Sequence, residues 1–116
     1  MKLTGITFQA LANSSHGTIN TNTTMTFVSD DETEILANYQ GGTIKTGNVV
    51  GRWIDPSTMD MLYHCITITS ELKAGRALAS FSRDSGGLMH MHLDWQWLTG
   101  DQSTGTSQWV EKVDSS

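Results

Sequence analysis

The sequence has one cysteine, one proline, few charges and no long apolar run. Cys65 alone can form no internal disulfide and cannot build a cysteine-rich zinc site. Its solitude fits a reducing compartment. The opening stretch MKLTGITFQALANSS carries one lysine and no apolar segment of signal-peptide length. No segment approaches the roughly 20 apolar residues of a membrane-spanning helix. The expectation is a cytoplasmic protein with no membrane partner. Seven basic residues stand against twelve acidic ones, giving a net charge of −5, and the basic residues form no run. A nucleic-acid surface carries a basic footprint, so no nucleic-acid partner is expected. No glycine-rich loop is followed by the helix and lysine of a phosphate cradle, and no G-x-S-x-G elbow is present. No cofactor is expected.

What the chain does have is alternation. Its 116 residues suit one domain spanning 1–116. Threonine, serine, glycine and asparagine supply most of the polar content, and threonine favours strands. Eight runs read as strands: Leu3 to Leu11, Thr18 to Ser29, Glu34 to Gln40, Thr43 to Ile54, Asp60 to Ser70, Gly75 to Ser82, Leu88 to Thr99 and Thr106 to Val113. In the second, Ile19, Thr21, Thr23, Met25 and Phe27 share a face. Turn residues separate the runs, as at Ser29-Asp30-Asp31-Glu32, Gln40-Gly41-Gly42, Asp55-Pro56-Ser57 and Asp84-Ser85-Gly86-Gly87. Residues Glu71 to Phe81 roughly fit a helical period, but Gly75 inside the run favours a strand. Short strands joined by short loops predict an all-β, up-and-down antiparallel barrel of about eight strands, calycin-like. A two-sheet β-sandwich is the alternative. A barrel of this size encloses packed side chains or one small ligand.

The strongest alternation runs from Leu88 to Trp97. Met89, Met91, Leu93, Trp95 and Trp97 lie on one face; His90, His92, Asp94 and Gln96 lie on the other. Five apolar residues in register do not suit a solvated surface, so the segment is predicted to organise the core and mouth of the barrel with Trp95 and Trp97 largely buried. If the polar face is inside, it forms a titratable wall. His90-x-His92 has the spacing to chelate one metal, with Asp94 or His64 as a third ligand; the ordinary reading is a pair of half-exposed strand histidines, and no metal is expected. Asp94 beside indoles would be a candidate general acid or base if desolvated. His64 as a base with Tyr63 or Arg76 holding an oxyanion is a further arrangement. Cys65 reads as a small buried side chain. Trp53, Trp95, Trp97, Trp109, Tyr39 and Tyr63 form an aromatic set that suits either a core or an aromatic-lined pocket.

These residues support three functional readings. The first is a barrel that binds a small apolar or aromatic organic ligand. Its cavity would be lined by aromatic and methionine side chains with a polar wall, and Tyr39, Trp53, Arg76, His90, His92, Trp95, Gln96 and Trp97 would bind the ligand. The second is a cofactor-independent isomerase, cyclase or lyase using Asp94, His64 and Tyr63 in the same cavity. The third is a structural or homodimeric interaction module.

Two resemblances bear on this. Tyr39-Gln40-Gly41-Gly42-Thr43-Ile44-Lys45-Thr46-Gly47, Val50-Gly51, Met61-Leu62-Tyr63-His64, and Asp94-Trp95-Gln96-Trp97 followed by Gly100-Asp101-Gln102-Ser103-Thr104-Gly105-Thr106-Ser107 and Glu111 resemble a widespread group of small bacterial proteins often labelled N-acetylglutamate synthase. That group commonly has Glu where this chain has Asp94. Acetyl transfer from acetyl-CoA in its usual fold needs a strand-to-helix pyrophosphate cradle, which this sequence lacks, so the resemblance implies kinship rather than that activity. Trp95-Gln96-Trp97-Leu98-Thr99-Gly100 is similar to the tryptophan-bearing strand end of avidin-like biotin binders, which implies a barrel architecture.

Overall fold

In a computed structural model of the chain, residues 2–13, 22–100 and 102–112 are described. Eight strands follow in order: β1 (Thr7–Asn13), β2 (Thr24–Asp30), β3 (Glu34–Gly41), β4 (Ile44–Asp55), β5 (Thr58–Thr67), β6 (Leu72–Arg83), β7 (Met89–Trp97) and β8 (Thr104–Glu111). Each pairs antiparallel with the next, and β1 pairs with β8, so the sheet closes. The expected up-and-down barrel is the observed fold, and closure rules out the sandwich. Glu71 to Phe81 lies almost entirely within β6 and is not helical.

The strand bounds shift by a few residues from those expected. The first strand begins at Thr7 rather than Leu3, because Ile6 N–H bonds to the Leu3 carbonyl across a turn in which Gly5 has φ +84°. β5 starts at Thr58, since Asp55 accepts the Ser57 N–H and closes the β4–β5 turn tightly. β2 is described from Thr24; the expected strand positions of Ile19 and Thr21, like the expected end at Val113, fall outside the described residues.

Inward positions recur every second residue, as period-2 geometry requires. Phe8, Phe27, Ile35, Val49, Met59, Met61, Met89, Met91 and Trp109 are all essentially inaccessible to solvent. The two ends of the barrel differ. At one end the β2–β3, β4–β5 and β6–β7 turns gather with the N-terminal segment. Phe8 and Phe81 each meet Phe27 edge-on and are tilted to one another there, and Trp53 leans on Phe81 at 5.4 Å. Leu3 folds over this cluster and is fully buried. Asp30 secures the closure: one carboxylate oxygen accepts the Leu3 N–H at 2.9 Å, and the other accepts the Glu32 N–H at 2.9 Å and Trp53 Nε1–H at 3.1 Å. Register places the β3–β4, β5–β6 and β7–β8 turns at the opposite end.

Candidate functional site

The opposite end of the barrel is lined from inside by tyrosine and tryptophan. Tyr39 at the end of β3 is opposite Gly47 of β4, and Tyr63 of β5 is opposite Gly75 of β6. Each ring lies across its glycine. A Cβ added at Gly47 would be 2.5 Å from Tyr39 Cε1, and one at Gly75 would be 2.5 Å from Tyr63 Cζ and Oη. An isolated strand glycine marks this kind of close approach. Trp97 of β7 pairs with Gly75 on its other side. The rings meet edge to face: Tyr39 and Tyr63 at 6.2 Å, Tyr63 and Trp97 at 5.5 Å, with Trp95 tilted 6.3 Å from Trp97. Both geometries are favourable for aromatic pairs.

Polar atoms in this cluster lack partners. Tyr39 Oη and Trp97 Nε1 are buried and make no hydrogen bond. The Cys65 sulfur lies against Tyr39 Oη without regular hydrogen-bond geometry, and thiols are weak partners in any case. Burial pushes the Tyr39 phenol far above its ordinary range, and the neighbouring Cys65 adds to the rise. Burial does the same to Tyr63, so both phenols stay protonated. Burial also raises the Cys65 thiol, against the lowering pull of Tyr39 and Lys73. At the rim, the Lys73 ammonium stands 4.5 Å from the centroid of the Trp97 ring.

The expected site residues are divided among several places. Tyr39, Tyr63, Trp95 and Trp97 come together inside this end. Trp53 lies at the other end, committed to Asp30. His64, Arg76, His90, His92, Asp94 and Gln96 do not form a polar wall of the interior. All six project from the outer face: on β7 the five large apolar residues take the inside, and on β5 and β6 His64 and Arg76 alternate with buried Cys65, Gly75 and Ala77. Even there they are separate. Arg76, Asp94 and Gln96 border one groove, while His64 borders another with Asn48 and Lys73. Arg76 also faces Asp60 at 3.6 Å.

The two histidines have different partners. His90 Nε2 meets Asp84 at 2.9 Å, while His92 meets Gln108 through Nδ1 and Asp94 through Nε2 at 3.4 Å. The His90 contact is the main cause holding the Asp84 carboxyl below its usual range. Among the described residues, no group of three His, Cys, Asp or Glu side chains is placed to hold a metal ion. Sequence reading missed Gly47, Gly75 and Lys73 at the aromatic end. The isolated glycines within alternating runs were a usable signal for the first two.

A closed eight-stranded meander, with a phenylalanine cluster at one end and tyrosine and tryptophan at the other, is a small barrel, a fold whose interior holds packed side chains or one small ligand. The chain belongs to the Avidin-like protein family, whose model matches residues 1–112. The match supports the avidin-like resemblance of the Trp95-Gln96-Trp97 segment; nothing in it supports the N-acetylglutamate synthase label. No curated protein and no solved structure gave a match. Among the described residues, no helix is long and apolar enough to cross a membrane.

Proposed function

We propose that this protein binds a small, largely apolar organic molecule at the barrel end carrying Tyr39, Tyr63, Trp95 and Trp97. The observation that carries the reading is two poorly satisfied polar atoms inside an aromatic cluster: Trp97 Nε1, which has no partner, and Tyr39 Oη, which meets only the weak Cys65 sulfur. Native proteins leave few such groups, and each costs about 1–3 kcal/mol when buried without a partner. A ligand offering an oxygen or nitrogen to either atom would remove that cost, while its apolar body covers the rings. Membership of an avidin-like family supports the same reading.

The test is calorimetric titration of the protein with a panel of flat amides and acids, including 2-naphthamide and biotin. A ligand at a hundred times its Kd should stabilise the fold by about 2.7 kcal/mol. Trp97→Phe, which removes only the N–H donor and some ring area, should weaken binding about ten-fold. Binding that is indifferent to both Trp97→Phe and Tyr39→Phe would overturn the placement of the site.

The enzymatic reading has less support. Of Tyr63, His64, Arg76, His90, His92 and Asp94, only Tyr63 faces inward, and its protonated phenol is a donor rather than a base.

A second reading concerns the outside. Leu36, Val50 and Leu62 sit side by side across β3, β4 and β5, all about half exposed. Arg52, Asp60 and Arg76 flank the row with both signs of charge. A two-fold dimer uses the same patch on both subunits, and a row with an apolar centre and both signs of charge at its rim can meet a copy of itself, so we propose a second copy as its occupant. Leu62→Lys should shift any dimer to monomer in sedimentation; a wild-type chain that stays monomeric at high concentration would end this reading.

A further inference from the structure

We propose that the molecule taken at the aromatic end is a monocarboxylate with a flat apolar body, its carboxylate held jointly by Lys73 and Trp97. The inference rests on the small-molecule reading above and adds the ligand's chemical class. Lys73 is on β6 two residues before Gly75, so it shares the inward parity of Gly75 and Ala77 and stands at the rim. Its ammonium lies over the Trp97 ring, 4.5 Å from the centroid, and among the described residues no carboxylate pairs with it. The indole N–H of the same ring is buried and unbonded.

An ammonium and an indole N–H are both donors with no acceptor capacity. Two neighbouring donors without an acceptor ask for a group that only accepts, and an ionised carboxylate is such a group. Its two oxygens can take the Trp97 N–H and a Lys73 N–H together, and charge-assisted bonds of this kind are the strong ones. A neutral amide would set its own NH2 donors against the same pair. The edge-to-face rings of Tyr63 and Trp97 supply an apolar surface for a flat body beside the carboxylate. The chain as a whole carries net charge −5 and offers anions little general attraction, so any preference for an acid must come from a local cation.

The experiment uses two probes of nearly identical shape, 2-naphthoate and 2-naphthamide, titrated calorimetrically into wild type, Lys73→Gln and Lys73→Arg at neutral pH. Wild type should bind the acid about ten-fold more tightly than the amide. Lys73→Gln should remove the preference by weakening the acid alone, and Lys73→Arg should keep it. Equal binding of both probes to wild type, or an equal effect of Lys73→Gln on both, would overturn the carboxylate assignment and leave the small-molecule reading standing. Binding of neither probe to wild type would overturn both. The wild-type comparison decides the matter even if a variant does not fold.

Discussion

Tyr39 and Tyr63 can occupy the barrel interior because the strand beside each carries a glycine where a side chain would stand. A Cβ at Gly47 or Gly75 would come within 2.5 Å of ring carbons held by their neighbours. Those rings cannot retreat freely in a packed interior. Gly47→Ala and Gly75→Ala should therefore each cost about 1–3 kcal/mol of unfolding free energy in urea titrations. Combining Gly47→Ala with Tyr39→Ala should cost less than the sum of the two, since the second change removes the obstacle to the first. Tyr39→Phe should behave in the opposite way. It deletes a buried hydroxyl that meets only the weakly bonding Cys65 sulfur, so the free protein should keep or gain stability. A loss above about 1 kcal/mol would reveal a partner for that hydroxyl. Pleat geometry fixes which strand neighbours share a face with Tyr39 and with Tyr63. Which glycine each ring covers depends on register between strands, which is set by the whole closed sheet and was not readable from one segment.

At the scale of the element, β7 shows how far a single strand can be read. The division of Met89 to Trp97 into an apolar and a polar face was legible, because it follows from pleat geometry alone. The apolar face was expected inside because five apolar residues in register do not suit water, and Met89, Met91, Leu93, Trp95 and Trp97 are all buried, whereas the Asp94 side chain is 63 % exposed. The functional appeal of His90, His92 and Asp94 came from their residue types, and residue type carries no information about direction. Trp95→Ala or Trp97→Ala should cost about 3–5 kcal/mol, read from the shift of a denaturation midpoint. Asp94→Asn should move stability by no more than about 0.5 kcal/mol and leave ligand binding unchanged. Loss of binding in Asp94→Asn with an unaltered melting temperature would return function to the outer face. Strand ends were less legible than strand faces. The closing of the β4–β5 turn by Asp55 is a side-chain contact to the Ser57 backbone, and alternation cannot locate it.

Across the whole molecule, the barrel is asymmetric along its axis, and Asp30 maintains one half of that asymmetry. Its carboxylate sits almost fully buried at the sealed end and ties the N-terminal segment, the β2–β3 turn and Trp53 together. Burial alone would raise its pKa. The N–H groups of Glu32 and Leu3, the Trp53 indole and the charge of Lys2 together outweigh that effect, and the folded value lies below 3.8. A carboxyl depressed in the folded state stabilises the fold fully above its unfolded pKa, and that contribution disappears as pH falls through the folded value. Asp30→Asn should accordingly be less stable than wild type at neutral pH. One of its amide donors would face an N–H that the carboxylate had accepted, and Leu3 would lose its anchor. As pH drops below about 3.8, wild type should approach the variant, because a protonated Asp30 has lost the same charge. Asp31, Asp55 and Asp84 are also depressed, but they titrate alike in both proteins and cancel in the difference. The measurement is the gap between the two urea midpoints from neutral pH down to about pH 2. A gap that stays constant would show that Asp30 acts through shape and not through charge. A gap that closes would establish that the end opposite the aromatic cluster is held shut by one ionised carboxylate. Ligand affinity should be nearly the same in Asp30→Asn and wild type at neutral pH, since the aromatic residues lie at the other mouth of the barrel.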